Sequence, residues 1–391
     1  MLNSAFEPWP SFTQAEADAV SKVLLSNKVN YWTGQECREF EKEFAQFAGT
    51  QYAVAVANGT VALDLALKAL GIGVGDDVIV TSRTFLASAS AIVTAGANPV
   101  FADVELDSQV ISRRTIEAVL TPNTKAIICV HLAGWMCDMD PIMQLAEEKG
   151  IFVIEDCAQA HGAMYKGQSA GSIGHIGAWS FCQDKIMTTG GEGGMVTTND
   201  EMLWKKMWSY KDHGKNFDSV YNKQHPPGFR WLHDSFGTNW RMMEMQAVIG
   251  RIQLKKMPHW TAVRRQNMAR IQAAFEESLY FTVAKPSRDY VHAAYKCYVQ
   301  VNVNALPAGW TRDRIMAEIN ALGVPCFSGS CSEVYLEKAF DHTPWRPAQR
   351  LANAQALAES SLMFLVHPSL SEQSLQNTIS AIETVIARIH A

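Results

Sequence analysis

The chain has 391 residues, 48% of them hydrophobic, with 34 Lys+Arg against 39 Asp+Glu and a formal net charge of -5. That length and apolar content exclude a disordered chain and a disulfide mini-protein, and at roughly 150 residues per domain they point to two or three domains. The mildly acidic balance with no basic cluster speaks against nucleic acid as a partner.

The opening residues MLNSAFEPWP have neither a basic flank nor an apolar core, so no signal peptide is read there. No apolar run approaches the ~20 residues that span a bilayer, so no membrane partner is expected. The first regular pattern is a short apolar strand at Val54–Ala57, then Asn58-Gly59-Thr60 and a helix over VALDLALKAL that Gly71–Gly75 ends. Asp77–Thr81 reads as a strand, Leu86–Ala95 as a helix, and Pro99–Asp103 as another strand. Ala126–Val130 and Phe152–Glu155 continue the strand series, with a helix over Pro141–Lys149 between them that stops at Gly150. This alternation predicts an α/β fold whose sheet is parallel and covered on both faces. Further on, MVTT (195–198) reads as a strand and Trp204–His213 as a helix. His225–Trp240 is a long loop, and Arg241–Met257 is a long helix. Beyond it lie strands at Tyr295–Val303 and Val324–Ser328, helices at Arg312–Leu322 and Gln349–Ser361, and an amphipathic helix at Ser371–Ile389. A large domain, 1–258, followed by a small C-terminal domain, 259–391, is the expected division.

Asp156 stands directly after the apolar run FVIE, at the C-terminal end of a predicted parallel strand, the edge at which open α/β sheets bind ligands. Taken alone it reads equally as a helix cap or a turn aspartate. Lys185 follows the apolar stretch WSF and leads into Thr188-Thr189-Gly190-Gly191-Glu192-Gly193-Gly194. Isolated lysines are usually solvated, and this glycine run, if not simply a mobile surface loop, lets backbone pass close to a ligand. A carboxylate at a strand end with a lysine in a glycine-flanked turn suits pyridoxal 5'-phosphate (PLP). That cofactor needs a lysine amine for a Schiff base and a carboxylate to keep its pyridine nitrogen protonated. Its phosphate needs a helix N-terminus, and Asn58-Gly59-Thr60 supplies one, although Thr60 alone could be an ordinary cap.

The blocks ANGTVALDLALKALGIGVGDDVIV, TKAIICVHLAGWMCDMDPI, VIEDCAQAHGAMYKG, WSFCQDKIMTTGGEGGMVTTND and GTNWRMMEMQAVIGRIQL together resemble the DegT/DnrJ/EryC1/StrS family of sugar aminotransferases across essentially the whole chain. The resemblance implies the aspartate aminotransferase fold (PLP-dependent transferase fold type I), with a large, mostly parallel sheet sandwiched by helices and a smaller C-terminal α/β domain. It implies that Lys185 is the Schiff-base lysine and proton shuttle and that Asp156 pairs with the pyridine nitrogen. Gln159 would bond the cofactor's phenolic oxygen, and Phe85 would stack on its ring. Gly59, Thr60 and Ser180 would hold the phosphate. Asn239 would reach the phosphate from the partner subunit, which makes a homodimer with a shared active site part of the expectation. Glu192 belongs to the family's motif without an assigned role.

The implied activity moves an amino group from L-glutamate to a keto carbon of a nucleotide-linked hexose for surface polysaccharide or glycan synthesis. A 4-keto-6-deoxy sugar is preferred to a 3-keto one, and UDP or dTDP to GDP. Some family members carry histidine at the Schiff-base position and dehydrate the sugar; Lys185 favours transamination. A PLP-dependent sugar dehydratase and a non-catalytic sugar-nucleotide-binding regulatory protein are the alternatives, and the absence of a G-x-G-x-x-G turn argues against a NAD-dependent dehydrogenase.

The chain departs from many members in having Cys182-Gln183 where a His-Pro pair is common, and it has one more residue before the acidic glycine motif. The C-terminal substrate loop, VPCFSGSCSEVYLEKAF, also differs, and that bears on substrate identity. The eight cysteines are scattered without C-x-x-C spacing and read as reduced thiols of a cytoplasmic protein. Cys182 reads as a small buried filler rather than a reactive thiol. His131, His161, His175 and His213 lack metal-ligand spacing, though His213-Gly214 could approach the substrate. Trp231–Trp240 could stack on a base or serve packing or a dimer contact. Arg241 could clamp an anion or make a structural ion pair.

Overall fold

Short apolar runs closed by turn residues become the strands of one large sheet. The structure is a computed structural model and describes residues 6–391. In the first two-thirds of the chain the strands are β1 (Tyr52–Val56), β2 (Asp77–Thr81), β3 (Asn98–Ala102), β4 (Thr124–Val130), β5 (Phe152–Asp156), β6 (Met164–Tyr165), β7 (Gln168–Ser169), β8 (Ile176–Ser180) and β9 (Gly194–Thr198). The helices of that region are α1 (Gln14–Leu25), α2 (Glu36–Ala48), α3 (Gly59–Ala69), α4 (Ala87–Thr94), α5 (Arg113–Glu117), α6 (Met139–Lys149), α7 (Glu201–Tyr210), α8 (Phe217–Tyr221) and α9 (Glu244–Ala273).

The seven-stranded sheet has the order β1-β9-β8-β5-β4-β2-β3. The pairs from β8 through β5, β4 and β2 to β3 are parallel. β9 runs antiparallel to both β8 and β1, so β1 points the same way as the parallel strands. Alternate residues feed two cores. Ile79, Ile127, Cys129 and Val153 face Phe40 and Phe44 of α2, Leu145 of α6 and Met257 of α9. Val78, Val80, Ile128 and Ile154 face Leu63, Leu67, Ile92 and Met207 on α3, α4 and α7. Each large side chain so buried contributes about 1.5–3 kcal/mol. The consequence for function is that β1, β2, β4, β5 and β8 all end at one edge, and the loops leaving that edge meet.

The Arg241–Met257 helix of the sequence reading begins three residues later and runs on to Ala273. Pro258 lies inside it on the exposed side, where it removes the hydrogen bond to the Leu254 carbonyl. Buried Leu254, Met257, Trp260, Arg264, Met268 and Ile271 keep the helical period across the proline. The last of these pack into a third core under a four-stranded antiparallel sheet, ordered β10 (Phe281–Thr282), β12 (Cys297–Val301), β14 (Ser361–Phe364) and β13 (Cys326–Phe327). Strand β11 (Tyr290–Val291) instead joins β6 and β7 in a small sheet. Helices α10 (Arg312–Ala321) and α12 (Glu372–His390) cover the four-stranded sheet, and α11 (Ala352–Ser360) precedes β14. The sequence reading carried that last helix into Ser361. Leu362 and Phe364 instead face the core from a strand paired on both sides. Among the described residues no helix is long and apolar enough to cross a membrane.

Candidate active site

The strand ends surround a cavity of about 1010 Å³. Of the residues singled out in the sequence, Gly59, Thr60, Phe85, Asp156, Gln159, Ser180 and Lys185 all line it. They come from four separate connections, after β1, β2, β5 and β8.

At one end α3 begins. Asn58 caps it by accepting the Val61 N–H at 2.9 Å, while Gly59 and Thr60 occupy the first helical positions, whose N–H groups have no partner within the helix. Gly59 packs directly on Ser180: a Cβ added there would lie 2.5 Å from the Ser180 Cβ. Ser180 Oγ in turn accepts the Cys182 N–H at 3.3 Å. A helix start with a hydroxyl opposite it is a site for an anion, favoured by about 0.3–1 kcal/mol from the dipole alone.

Asp156 closes β5 and is 6% exposed. One carboxylate oxygen accepts Ser88 Oγ–H at 2.8 Å and the other accepts the Ala158 N–H at 3.1 Å. Ser88 Oγ is also 2.8 Å from Thr84 Oγ1, and the Thr84 N–H donates to the Cys331 carbonyl at 3.1 Å. A hydrogen-bonded chain thus runs from the C-terminal loop to this carboxylate. Gln159 Oε1 accepts the Ala133 N–H at 2.7 Å, which leaves its amide nitrogen free of that bond. Phe85 is 71% exposed, although it lies between buried Thr84 and half-buried Leu86. An aromatic ring held open over a cavity is a stacking surface.

Lys185 sits in the turn after β8, its side chain 16% exposed. Its Nζ is 4.0 Å from Asp184 Oδ1 and 5.5 Å from the centroid of Tyr295. The Trp9 indole N–H donates to the Lys185 carbonyl at 2.7 Å and so ties the turn to the N-terminal segment. Asp184 accepts the Tyr295 hydroxyl. Burial works against its charge, but Lys185 and that hydroxyl hold the carboxyl below its usual range. The glycine run behind the turn is not a mobile surface loop. Thr188 bonds Gln253 Oε1 and the Phe181 carbonyl, and Thr189 bonds the Glu192 carbonyl.

Among the polar cavity residues that the sequence reading did not single out are Ser88, Tyr295, Lys296, Tyr298 and Ser330. Ser88 stands three residues after Phe85 at the start of a helix, a position that alone looks like an ordinary N-terminal serine. The others come from β12, the two residues before it and the loop after β13, more than a hundred residues from Lys185. The one signal for them was the divergent VPCFSGSC segment. Tyr298 OH accepts the Ser330 N–H at 2.8 Å, and Gly329 is packed so closely on the Tyr298 ring that a Cβ would fall 2.3 Å from it.

Other expectations change. Cys182 is a half-buried cavity-lining residue, not a buried filler, with Sγ 3.8 Å from Glu192 Oε1. Burial and the nearby Glu192 push its thiol up, which disfavours the reactive thiolate. His131, for which no ligand spacing was visible, meets Glu155 and Cys157 in space, with ligand atoms within 4.8 Å of one another. All three are buried, and Glu155 already accepts His131 Nε2–H and the N–H groups of Gly171, Ile173 and Gly174, while His131 Nδ1 accepts the Cys137 N–H. Those bonds use the groups as a structural knot beneath Asp156. Arg241 pairs with buried Asp212 at 2.8 Å and is a structural ion-pair partner. His213 does not line the cavity. Asn239, expected to act in the partner subunit's site, is exposed and lies outside this chain's own cavity. Trp231 is 82% exposed and Phe236 fully so, in the same loop.

The donor set fits PLP: an anion cradle at α3, a buried carboxylate oriented by two donors, and a lysine with no closer carboxylate than 4.0 Å. The profile of the DegT/DnrJ/EryC1/StrS aminotransferase family matches residues 10–383. The GDP-perosamine synthase of Caulobacter vibrioides is 36% identical over 353 residues, 89% of either chain. That of Escherichia coli O157:H7 is 42% identical over 287 residues, 72% of this chain and 74% of its own. The X-ray structure of the aminotransferase from Psychrobacter cryohalolentis superposes with a TM-score of 0.98 at 64% identity, over 99% of this chain and 100% of that one. With its α/β architecture and this cavity, the chain belongs to the DegT/DnrJ/EryC1/StrS family of PLP-dependent aminotransferases.

Proposed function

We propose that the protein transfers an amino group from L-glutamate to a keto carbon of a nucleotide-linked 4-keto-6-deoxy hexose, in the synthesis of a surface polysaccharide or other glycan. The observation that carries the reading is the convergence of Lys185, Asp156 and the α3 cradle in one cavity. When bound, PLP supplies an electrophilic carbon and an electron-withdrawing ring on which an amino group can be held and passed on. Gly59, Thr60 and Ser180 would hold its phosphate. Asp156, fixed by Ser88, would keep a proton on the ring nitrogen. Phe85 would cover the ring face, and Gln159 would offer its free amide to the phenolic oxygen. Lys185 Nζ takes and returns the proton at the reacting carbon, a role for which a half-buried amine beside Tyr295 and Asp184 is well placed.

Asn239 of the partner subunit completes the phosphate site in this reading. The exposed Trp231 and Phe236 of the same loop support a homodimer, because large apolar groups so presented are covered in assemblies. The division into a PLP-binding part, 1–258, and a small C-terminal domain, 259–391, is supported by the two sheets on either side of α9. A cytoplasmic location is supported by eight cysteines that are all free.

The test is a half-reaction. The protein is purified with PLP, its visible band is recorded, and L-glutamate is added without sugar. Loss of the band, and its return with 2-oxoglutarate or a keto sugar, is the expected result. A band that ignores L-glutamate would instead favour a dehydratase or another amino donor, and a protein with no band would be a binder. The same assay compares nucleotides. The sequence favoured UDP or dTDP, whereas the two relatives named above are named for a GDP-linked sugar, so all three are offered.

A further inference from the structure

The cavity is lined by four carboxylates, Asp156, Asp184, Glu192 and Glu337, and by two cations, Lys185 and Lys296. Both substrates in the function proposed above are anions, and this inference rests on that reading. Lys185 is committed to the cofactor, which leaves Lys296 as the one cation of this chain facing the substrates among the described residues.

Lys296 stands just before β12 and forms no ion pair among the described residues. Its Nζ lies 4.9 Å from the centroid of Tyr295, the ring that also carries Lys185 Nζ at 5.5 Å, so the two ammonium groups are within about 10 Å of each other. Lys296 also lines a narrow crevice with Ala133, Trp135 and His292. It therefore flanks the side of the cavity where Gln159 holds the Ala133 N–H. Burial pushes its pKa down to about 8, with Arg264 and Lys185 adding repulsion and Asp184 partly offsetting both. A largely buried cation whose negative neighbour Asp184 makes no direct ion pair with it gains from an anionic ligand what a solvated one would not.

We propose that Lys296 is the specificity-determining cation for the amino donor and binds a carboxylate of the dicarboxylic amino acid. With its amine at the reacting carbon next to Lys185, such a donor carries one carboxylate beside that amine and another two methylenes further on, a span that two ammonium groups no more than about 10 Å apart can bracket. A nucleotide sugar offers its diphosphate only beyond the full width of the hexose.

The test compares wild type with Lys296→Met, Lys296→Gln and Lys296→Arg, all as holoenzyme. Three quantities are read: the L-glutamate concentration that half-converts the visible band, the binding of glutarate by calorimetry, and the KM for the nucleotide sugar. Glutarate has both carboxylates and no amine, so its binding is read without turnover. Met and Gln should weaken glutamate and glutarate at least tenfold, about 1.4 kcal/mol, while the band and the nucleotide-sugar KM stay within twofold. Arg should restore both affinities to within threefold. Unchanged glutarate binding would overturn the proposal, and so would a loss confined to the nucleotide sugar, which would assign Lys296 to the diphosphate. If the wild-type band ignores L-glutamate, it is the transamination reading that fails, and glutarate binding still decides for or against Lys296. Lys296→Gln keeps a polar stem on Tyr295 and serves if Lys296→Met loses cofactor.

Discussion

Glu155, the neighbour of Asp156 on β5, is fully buried, and its carboxylate accepts four hydrogen bonds: His131 Nε2–H at 2.8 Å and the N–H groups of Gly171 at 2.9 Å, Ile173 at 2.8 Å and Gly174 at 2.6 Å. Glu155→Ala would strand all four donors away from water. At ~1 kcal/mol or more for each orphaned group, the cost is about 4 kcal/mol, within the ~3–5 kcal/mol found when one partner of a buried charged network is removed. Glu155→Gln keeps one acceptor oxygen but turns an NH₂ toward two of the donors. His131 cannot accommodate it by changing tautomer, because its Nδ1 already accepts the Cys137 N–H at 3.2 Å. A loss of about 2–3 kcal/mol is expected. The assay is urea unfolding at pH 7, read as a shift in midpoint at constant slope. The pH dependence has a definite sign. Burial opposes the charge, but His131 and the backbone donors hold the Glu155 carboxyl below its ordinary 4.5. Its stabilisation is therefore complete above pH 4.5 and is lost as the pH falls through the lower folded value. The wild type should lose stability there, and the Gln variant should show a shallower decline. An Ala variant within 1 kcal/mol of wild type, or a Gln variant as stable as wild type, would refute the charged four-donor account.

Four other outcomes are expected. Lys185→Ala should keep the fold and the far-ultraviolet spectrum and lose turnover, and robust product formation without added small amines would overturn its assigned role. Gly59→Ala sets a Cβ 2.5 Å from the Ser180 Cβ and 2.9 Å from its Oγ. The cradle must shift, at about 1–3 kcal/mol, and the dissociation constant for PLP in equilibrium dialysis should rise tenfold or more. Ser88→Ala removes the 2.8 Å hydrogen bond to Asp156; at about 1.5 kcal/mol for a bond to a charged group, PLP affinity should fall roughly tenfold with little change in melting temperature. Glutarate binding should weaken as the pH rises through about 8, because Lys296 then loses the proton that burial and its charged neighbours Arg264 and Lys185 already loosen, while Asp184 works to keep it; a flat profile from pH 7 to 9 would count against that ammonium as the ligand.

The parts legible from the residues are those governed by local pattern. Asp77–Thr81 was read to the residue, and the runs ending at Val130 and next to Asp156 to within a residue or two. A buried parallel strand is a short apolar block between turn residues, and little else looks like it. Asp156 and Lys185 stood out for the same reason, one at a strand end and one before a glycine run. The antiparallel insertion of β9 between β1 and β8 left no mark on the sequence, because MVTT reads the same in either direction of pairing. Ser361 was taken into the preceding helix, and the strand Ser361–Phe364 was not seen, since no glycine or proline separates it from Ala352–Ser360; pairing with β12 and β13 decides its conformation. Lys296 and Tyr298 were missed because their proximity to Lys185 is made by the meeting of two sheets, which no spacing encodes. Cys182 was misjudged because its role depends on which side of a turn faces the cavity.

Helix α9 has a mechanical consequence. Its 30 residues make a rod about 45 Å long at 1.5 Å per residue, and it runs from beneath the seven-stranded sheet into the core of the four-stranded one. The two sheets are therefore not joined by a loose tether. A swing of one against the other has to flex this rod, and the softest place to do so is Pro258, where one rung of the hydrogen-bond ladder is missing. Any such swing works against a spring, and Pro258→Ala, on the exposed side of the rod, supplies the missing rung and stiffens it.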